Sequence, residues 1–416
     1  MSLAALQADL DALLTRISER DPGLQAFLPE ADRASRLHRD AEALFARWPR
    51  PEERPPLFGL PVGVKDIFRV DGLPTGAGSR LPPEELAGRE AEAVTLLRQA
   101  GALVLGKTVS TEFAYFSPGP TRNPHQPEHT PGGSSSGSAA AVAAGLCPLA
   151  LGTQTIGSLL RPAAYCGVVG FKPTFGRISA AGAIPLAPSC DHVGFFTADL
   201  TAAPRAASVL CADWRPERAK PGARPRLAIP EGPYLESAAP EGLAGFRAAC
   251  ARLTAAGFTV EPVAALADFP AVAARHKRIV AAEAARVHAR WFGRFGDLYS
   301  PQMRELILTG QAVSEADLDA ALAGRSALRR ELAELLDRRG LDLWISPPAQ
   351  GPAPRGLDST GDPVMNIPWT HAGLPALSLP VGRNAAGLPL GLQLAGRWLE
   401  DEILLAAAAE VERVFQ

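Results

Sequence analysis

A chain of 416 residues with 47% hydrophobic and 21% charged residues has the composition of a globular protein with a large core, long enough for two or three average domains or one continuous α/β body. The formal net charge of −2 gives no electrostatic reason to bind nucleic acid or an acidic membrane surface, and no stretch has the ~20 uninterrupted apolar residues of a membrane span. Cys147, Cys166, Cys190, Cys211 and Cys250 are odd in number and lack CxxC spacing, which predicts reduced, mostly buried thiols of a cytoplasmic protein.

In chain order, MSLAALQADLDALLTRISER carries acidic residues early and predicts an amphipathic helix, not a signal peptide. A second helical stretch lies near residues 30–47, followed by a proline-rich break at 49–56. The apolar run LFGLPVGVKDIFRV suits a buried strand. Residues 91–100 have helical periodicity, stop at Gly101 and lead into the strand ALVLGK at 102–107. Residues 113–130, rich in Pro, Asn, His and aromatics, suit a surface loop that borders a pocket. An alanine-rich helix is expected at 138–145, ended by Gly145, with short strands at 149–151 and 168–171. From about 201 to 341 the chain becomes Ala- and Arg-rich and mostly helical, with strands near 226–230 and 258–263. Strand patterns return at 342–347, 375–382 and 389–395, and a helix closes the chain at 400–415. Strands alternating with helices predict a three-layer α/β/α body, a central mixed sheet flanked by helices.

Residues 131–162 carry most of the chemistry. They open with PGGSSSGSAAAVAAG and close with LGTQTIGSLLRP, and 24 residues separate Ser134 from Ser158. Alone, Ser158 reads as a Gly-Ser turn before a helix, and Ser134 as part of a linker or an anion-binding nest. A phosphate loop is excluded because no Gly-Lys-Ser/Thr follows. A linker does not run straight into an alanine-rich helix and a second Gly-Ser turn. Two serines on glycine-lined turns suit a hydroxyl nucleophile and its relay, with the N–H groups of TQTIGS available to a developing oxyanion. Such a hydroxyl needs a base. There is no GxSxG elbow, and the seven histidines form no metal-ligand pattern such as HExxH. The remaining base is a lysine kept neutral by burial, and the chain has only five lysines. Lys65 is the leading candidate because it lies inside the apolar PVGVKDIF, with an ion pair to Asp66 as the competing reading and Lys107 and Lys172 as rivals.

Together these segments resemble the amidase signature family of serine hydrolases over nearly the whole chain. GLPVGVKDIF is similar to the family's lysine motif, PGGSSSGSAAAVAAG to its Gly-Ser block, and GTQTIGSLLRPAAYCGVVGFKPTFGRIS to its nucleophile segment. HAGLPALSLPVG and GLPLGLQLAG resemble its closing strands. The resemblance implies a single amidase domain over 1–416, with 57–200 and 342–416 as catalytic core and 201–341 as a more variable helical middle region. It implies Ser158 as the acylated nucleophile, Ser134, after a cis Gly133–Ser134 bond, as the bridging serine, and Lys65 as the neutral base. The N–H groups of Thr155, Ile156, Gly157 and Ser158 would form the oxyanion hole, and water would hydrolyse the acyl-enzyme, so no cofactor and no metal are expected. The chain departs from the usual Asp-Thr-Gly-Gly-Ser followed by an arginine two residues on. Gln154 replaces the Asp, Ile156 replaces the first Gly, and Arg161 falls one position late, while Thr370 and His371 stand where many members carry Asn-Leu. A branched Ile156 should narrow the pocket or reposition the acyl group.

Gly133, Phe113, Tyr115, Phe116, Trp369 and His371 are the expected substrate contacts, the aromatics and His371 from loops, which suits an apolar or aromatic acyl group. The expected activity is hydrolysis of the C–N bond of a small carboxamide, anilide or carbamate by a monomer or homodimer. The alternatives are a glutaminase-type subunit of an amidotransferase complex, disfavoured by the compact middle region and altered nucleophile segment, and an inactive binding relative, suggested by Gln154 and Ile156.

Overall fold

The computed structural model describes residues 1–219 and 224–416. In chain order the elements are α1 (Leu3–Leu24), α2 (Arg33–Arg47), β1 (Pro61–Lys65), α3 (Glu92–Gln99), β2 (Leu103–Thr108), α4 (Ser136–Ala143), β3 (Leu149–Gln154), α5 (Leu160–Cys166), β4 (Val169–Lys172) and β5 (His192–Thr197). They continue with α6 (Ala203–Leu210), β6 (Leu227–Glu231), α7 (Pro240–Ala255), β7 (Val260–Ala264), α8 (Phe269–Phe295), α9 (Pro301–Gln311), α10 (Glu315–Arg339), β8 (Leu343–Ser346), α11 (Ile367–His371), β9 (Ala376–Arg383), β10 (Pro389–Ala395) and α12 (Asp401–Glu412). The strands form one ten-stranded mixed sheet in the order β2-β1-β3-β5-β4-β9-β10-β8-β6-β7. The β1/β2, β1/β3, β6/β7 and β6/β8 pairs are parallel and the five others antiparallel.

Side-chain alternation makes this a three-layer structure. Successive residues of a strand face opposite sides of a sheet, so a strand buried on both faces feeds two cores. Val104, Leu149, Leu151 and Phe195 enter a core shared with α3, α6, α8, α10 and α12. Their neighbours Leu103, Leu105, Ala150 and Phe196 enter a second core under α1, α2 and α4. Within α4, Gly137 is needed for close approach, since a Cβ there would lie 2.3 Å from Ala26 O and 2.4 Å from Val109 N. No helix among the described residues is long and apolar enough to cross a membrane, and all five cysteines are buried and unpaired.

Three elements differ from the sequence expectation in ways that matter to the site. β3 continues through Gln154 rather than ending at Leu151, carrying Thr153 and Gln154 on the sheet. β5, which the sequence pattern does not announce, inserts antiparallel between β3 and β4. Residues 367–371 form the short helix α11 rather than a loop, with Pro368 in its first turn, where the missing N–H is not needed. β6 and β7 match the two strands expected in the middle region and extend the sheet at its far edge.

Candidate active site

The site forms at the C-terminal ends of the parallel neighbours β1 and β3, beside the residues that enter α4 and α5. Lys65 closes β1, one residue beyond the Val64–Leu151 pairing, so its side chain meets the end of β3. Its Nζ lies 2.7 Å from Ser134 Oγ and 2.8 Å from Thr153 Oγ1. The lysine is fully buried, and burial holds its pKa well below the usual lysine range against the opposing charge of Asp191. Asp66 is not its partner. That carboxylate pairs with Lys107 at 2.7 Å, and Lys107 Nζ also donates to Thr75 Oγ1 at 3.0 Å. Lys172 donates to the carbonyls of Leu374 and Pro173, and burial lowers its pKa to about 7. Of the three lysines considered, only Lys65 touches either serine among the described residues.

Ser134 follows a cis Gly133–Ser134 peptide bond and is buried. The serines after it fasten this segment to β3: Ser135 Oγ donates to Thr153 O at 3.2 Å and accepts from Thr153 N, and Ser138 Oγ donates to Leu151 O at 2.8 Å. Gly133 O accepts from Arg161 Nη2 at 2.8 Å, and the same nitrogen donates to Thr360 Oγ1 at 3.1 Å. Gly133 is packed against Thr360 and buried. Burial of the Arg161 guanidinium lowers its pKa to about 10.

Ser158 sits between β3 and α5, 7% exposed, and among the described residues its Oγ has no hydrogen-bond partner. The loop before it is held through its carbonyls. Thr155 O meets His276 Nε2 at 3.0 Å, Ile156 O accepts from Thr370 Oγ1 at 2.7 Å, and Gly157 O accepts from Arg161 N at 3.1 Å. Thr155 Oγ1 donates to Asp191 Oδ1 at 2.6 Å, while Asp191 Oδ2 accepts from the N–H groups of Leu186 and Ala187. Gln154 Oε1 accepts from Leu159 N and Leu160 N at 2.9 and 3.0 Å, and its Nε2 donates to Thr370 Oγ1 at 2.9 Å. The N–H groups of Ile156, Gly157 and Ser158 are bound by no other group among the described residues. Ile156 has no positive φ, so its branched side chain fits the loop backbone.

A cavity of about 620 Å³ opens beside this loop, lined by Ile156, Tyr115 and Phe116 and also by Lys277, Glu305 and Asp362. Of the expected substrate contacts, Tyr115 and Phe116 face this cavity. Trp369 does not: it is fully buried in α11, its Nε1–H donates to Tyr234 Oη at 3.0 Å, and its ring packs edge-on against that of Tyr234. His371 is also fully buried, with its ring edge-on to His276. Phe113 is buried and stacks on Tyr299 and Trp291. Trp369, His371 and Phe113 thus pack in the core and not at the cavity wall. Sequence reasoning missed Thr153, Asp191 and His276. Asp191, an acid directly before the apolar HVGFF, offered a signal; His276, on a distant helix, offered none.

A profile of the family described as Amidase matches residues 9–405. Among curated relatives, the glutamyl-tRNA(Gln) amidotransferase A subunit from Thermus thermophilus is 37% identical over 96% of this chain and 92% of its own length. Its counterpart from a Synechococcus species is 34% identical over 97% and 92%. Among solved structures, a crystal structure of an amidase superposes with a TM-score of 0.88 at 34% identity, covering 99% of this chain and 96% of that one.

Proposed function

This chain belongs to the amidase family of C–N hydrolases, and from that premise we propose that it cleaves a small carboxamide through an acyl-enzyme on Ser158. The observation that carries the reading is the 2.7 Å contact between the buried, neutral-favouring Lys65 and Ser134. Neutral Lys65 accepts the Ser134 hydroxyl proton while donating to Thr153 Oγ1, and Ser134 in turn takes the proton of Ser158 as that hydroxyl turns toward it. Ser158 Oγ attacks the carbonyl carbon, and the oxygen gains negative charge in front of the N–H groups of Ile156, Gly157 and Ser158. Collapse of the tetrahedral species breaks the C–N bond, with the proton returning from Lys65 through Ser134 to the leaving nitrogen. Water then hydrolyses the ester by the same relay, without a cofactor. In this reading the chain is one amidase unit, in which residues 201–341 supply a cavity wall through α8 and α9. The five unpaired thiols suit a cytoplasmic setting.

For the substrate, the curated relatives support a glutaminase-type subunit that releases ammonia from a primary amide, a reading that the compact middle region and the altered nucleophile segment argued against. A second reading, a free-standing hydrolase of bulkier amides, anilides or carbamates, draws on Ile156, Tyr115 and Phe116 at the cavity. A hydrolysis panel of glutamine, aliphatic amides, anilides and carbamates, run with co-purification of partner subunits, separates the two. Ser158→Ala should lower kcat by at least ~10³-fold on every substrate cleaved. Full activity in that variant would overturn the assignment.

A further inference from the structure

Every nitrogen in the loop facing the attacked carbonyl is aimed by a carbonyl on its other side. In a trans peptide unit the C=O of one residue and the N–H of the next point in opposite directions. Holding Ile156 C=O therefore aims Gly157 N–H, just as holding Thr155 C=O and Gly157 C=O aims the N–H groups of Ile156 and Ser158. The first and third of these carbonyls are held by an imidazole and a backbone N–H. The middle one depends on a side-chain hydroxyl, Thr370 Oγ1, at 2.7 Å.

A threonine hydroxyl has one hydrogen, and here two acceptors compete for it: Ile156 O at 2.7 Å and Asn366 O at 3.0 Å. Gln154 bears on that competition. Its Oε1 is committed to two backbone donors, Leu159 N and Leu160 N, which fixes the amide orientation and turns Nε2 toward Thr370. The Gln154 N–H fills an acceptor site of the threonine oxygen, so the hydroxyl must donate outward, and its shorter contact is Ile156 O. Both side chains are fully buried, so water does not substitute for either bond.

We propose that Gln154 and Thr370 act as one positioning unit, a directed hydrogen-bond relay that aims Gly157 N–H into the oxyanion hole. The relay rests on the acyl-enzyme reading and adds to it a positioning role for the two residues. Gln154 must be a donor at one end and an acceptor at the other. A carboxylate in its place keeps the contacts to Leu159 and Leu160 but draws the Thr370 proton to itself and frees Ile156 C=O. An amide side chain at 370 can then donate to that carboxylate.

The test is the second-order rate of Ser158 labelling by a fluorophosphonate, with kcat and KM on one amide and the melting temperature of each variant. Thr370→Val should lower labelling rate and kcat by ~10- to 100-fold with KM within about threefold, and Thr370→Ser should restore both. Gln154→Glu should fall by a similar factor, and Gln154→Glu/Thr370→Asn should regain at least ~tenfold over Gln154→Glu. A Thr370→Val protein that labels at the wild-type rate overturns the relay. So does a series in which rate follows melting temperature alone, with Thr370→Ser no better than Thr370→Val. Failure of the unaltered protein to label at Ser158 removes the acyl-enzyme reading itself, and the relay with it.

Discussion

A lysine is a useful base only where its neutral form is populated, and Lys65 has been placed where the ammonium is disfavoured by burial. The charge opposing this is that of Asp191, which favours the ammonium. The log of kcat/KM should therefore rise with pH through the folded-state pKa of Lys65 and level off well below 10.5, the ordinary lysine value. Removing the Asp191 charge in Asp191→Asn should move that acid limb to lower pH. A limb that stays in place or moves upward would mean that the rate reports some other group. Lys65 was legible in the sequence because an ammonium inside an apolar run demands a reason. Whether Asp66 supplied that reason was not legible, because Asp66 lies one residue beyond the end of β1 and only the fold reveals that it faces Lys107 on β2. Thr153 was invisible for a different cause: a threonine in a strand is ordinary, and its contact with Lys65 depends on the alignment of β1 with β3.

At the scale of elements, the loop 155–158 is the junction of β3, α5 and α11, and its narrowest point is Gly157. A Cβ on Gly157 would lie 2.2 Å from Asn366 Oδ1 and 2.8 Å from Pro363 Cβ, so the loop and the start of α11 are in backbone-to-side-chain contact there. Gly157→Ala should push the loop off α11 and lower kcat by roughly 10²-fold, since a displacement of about 1 Å at an oxyanion donor is enough. An alanine variant with wild-type kcat would show that the loop is not seated against α11 in this way. The long amphipathic helices and the apolar strands around this junction were readable from periodicity. The junction itself was only half readable. The glycines and serines announced a turn, but α11, at five residues with a proline near its start, is too short to show a helical period. β5 escaped because its six residues, buried on both faces, form a short apolar run that periodicity does not distinguish from a buried helical turn, and no helix before it leads into a strand as α3 leads into β2.

Across the whole molecule, histidines buried in α8 and α11 set the response of the fold to acid. His276, His288 and His371 are fully buried, and burial lowers their pKa values to about 4, about 3 and about 2. Their unfolded pKa is near 6.5, so between pH 6.5 and the folded values the unfolded chain binds protons that the fold does not. Stability contributed by these groups is full above pH 6.5 and falls as the pH is lowered. At pH 5 the loss is about 2 kcal/mol for each histidine, offset in part by Asp66 and Asp191, whose carboxyls burial raises and which therefore take up protons in the fold. The melting temperature should thus drop steeply between pH 6.5 and 5. His288 isolates the effect, because it lies away from the loop, among Phe113, Trp291 and Tyr299, with Nδ1 at 3.0 Å from Tyr299 Oη. His288→Phe keeps an aromatic ring in that cluster and removes the titrating group, at the cost of about 1 kcal/mol for the lost hydrogen bond. Its stability should lie below that of the unaltered protein at pH 8, fall less on acidification, and overtake it at about pH 6. Parallel stability curves for the two proteins over that range would show that His288 is already protonated in the fold or that its titration does not couple to unfolding.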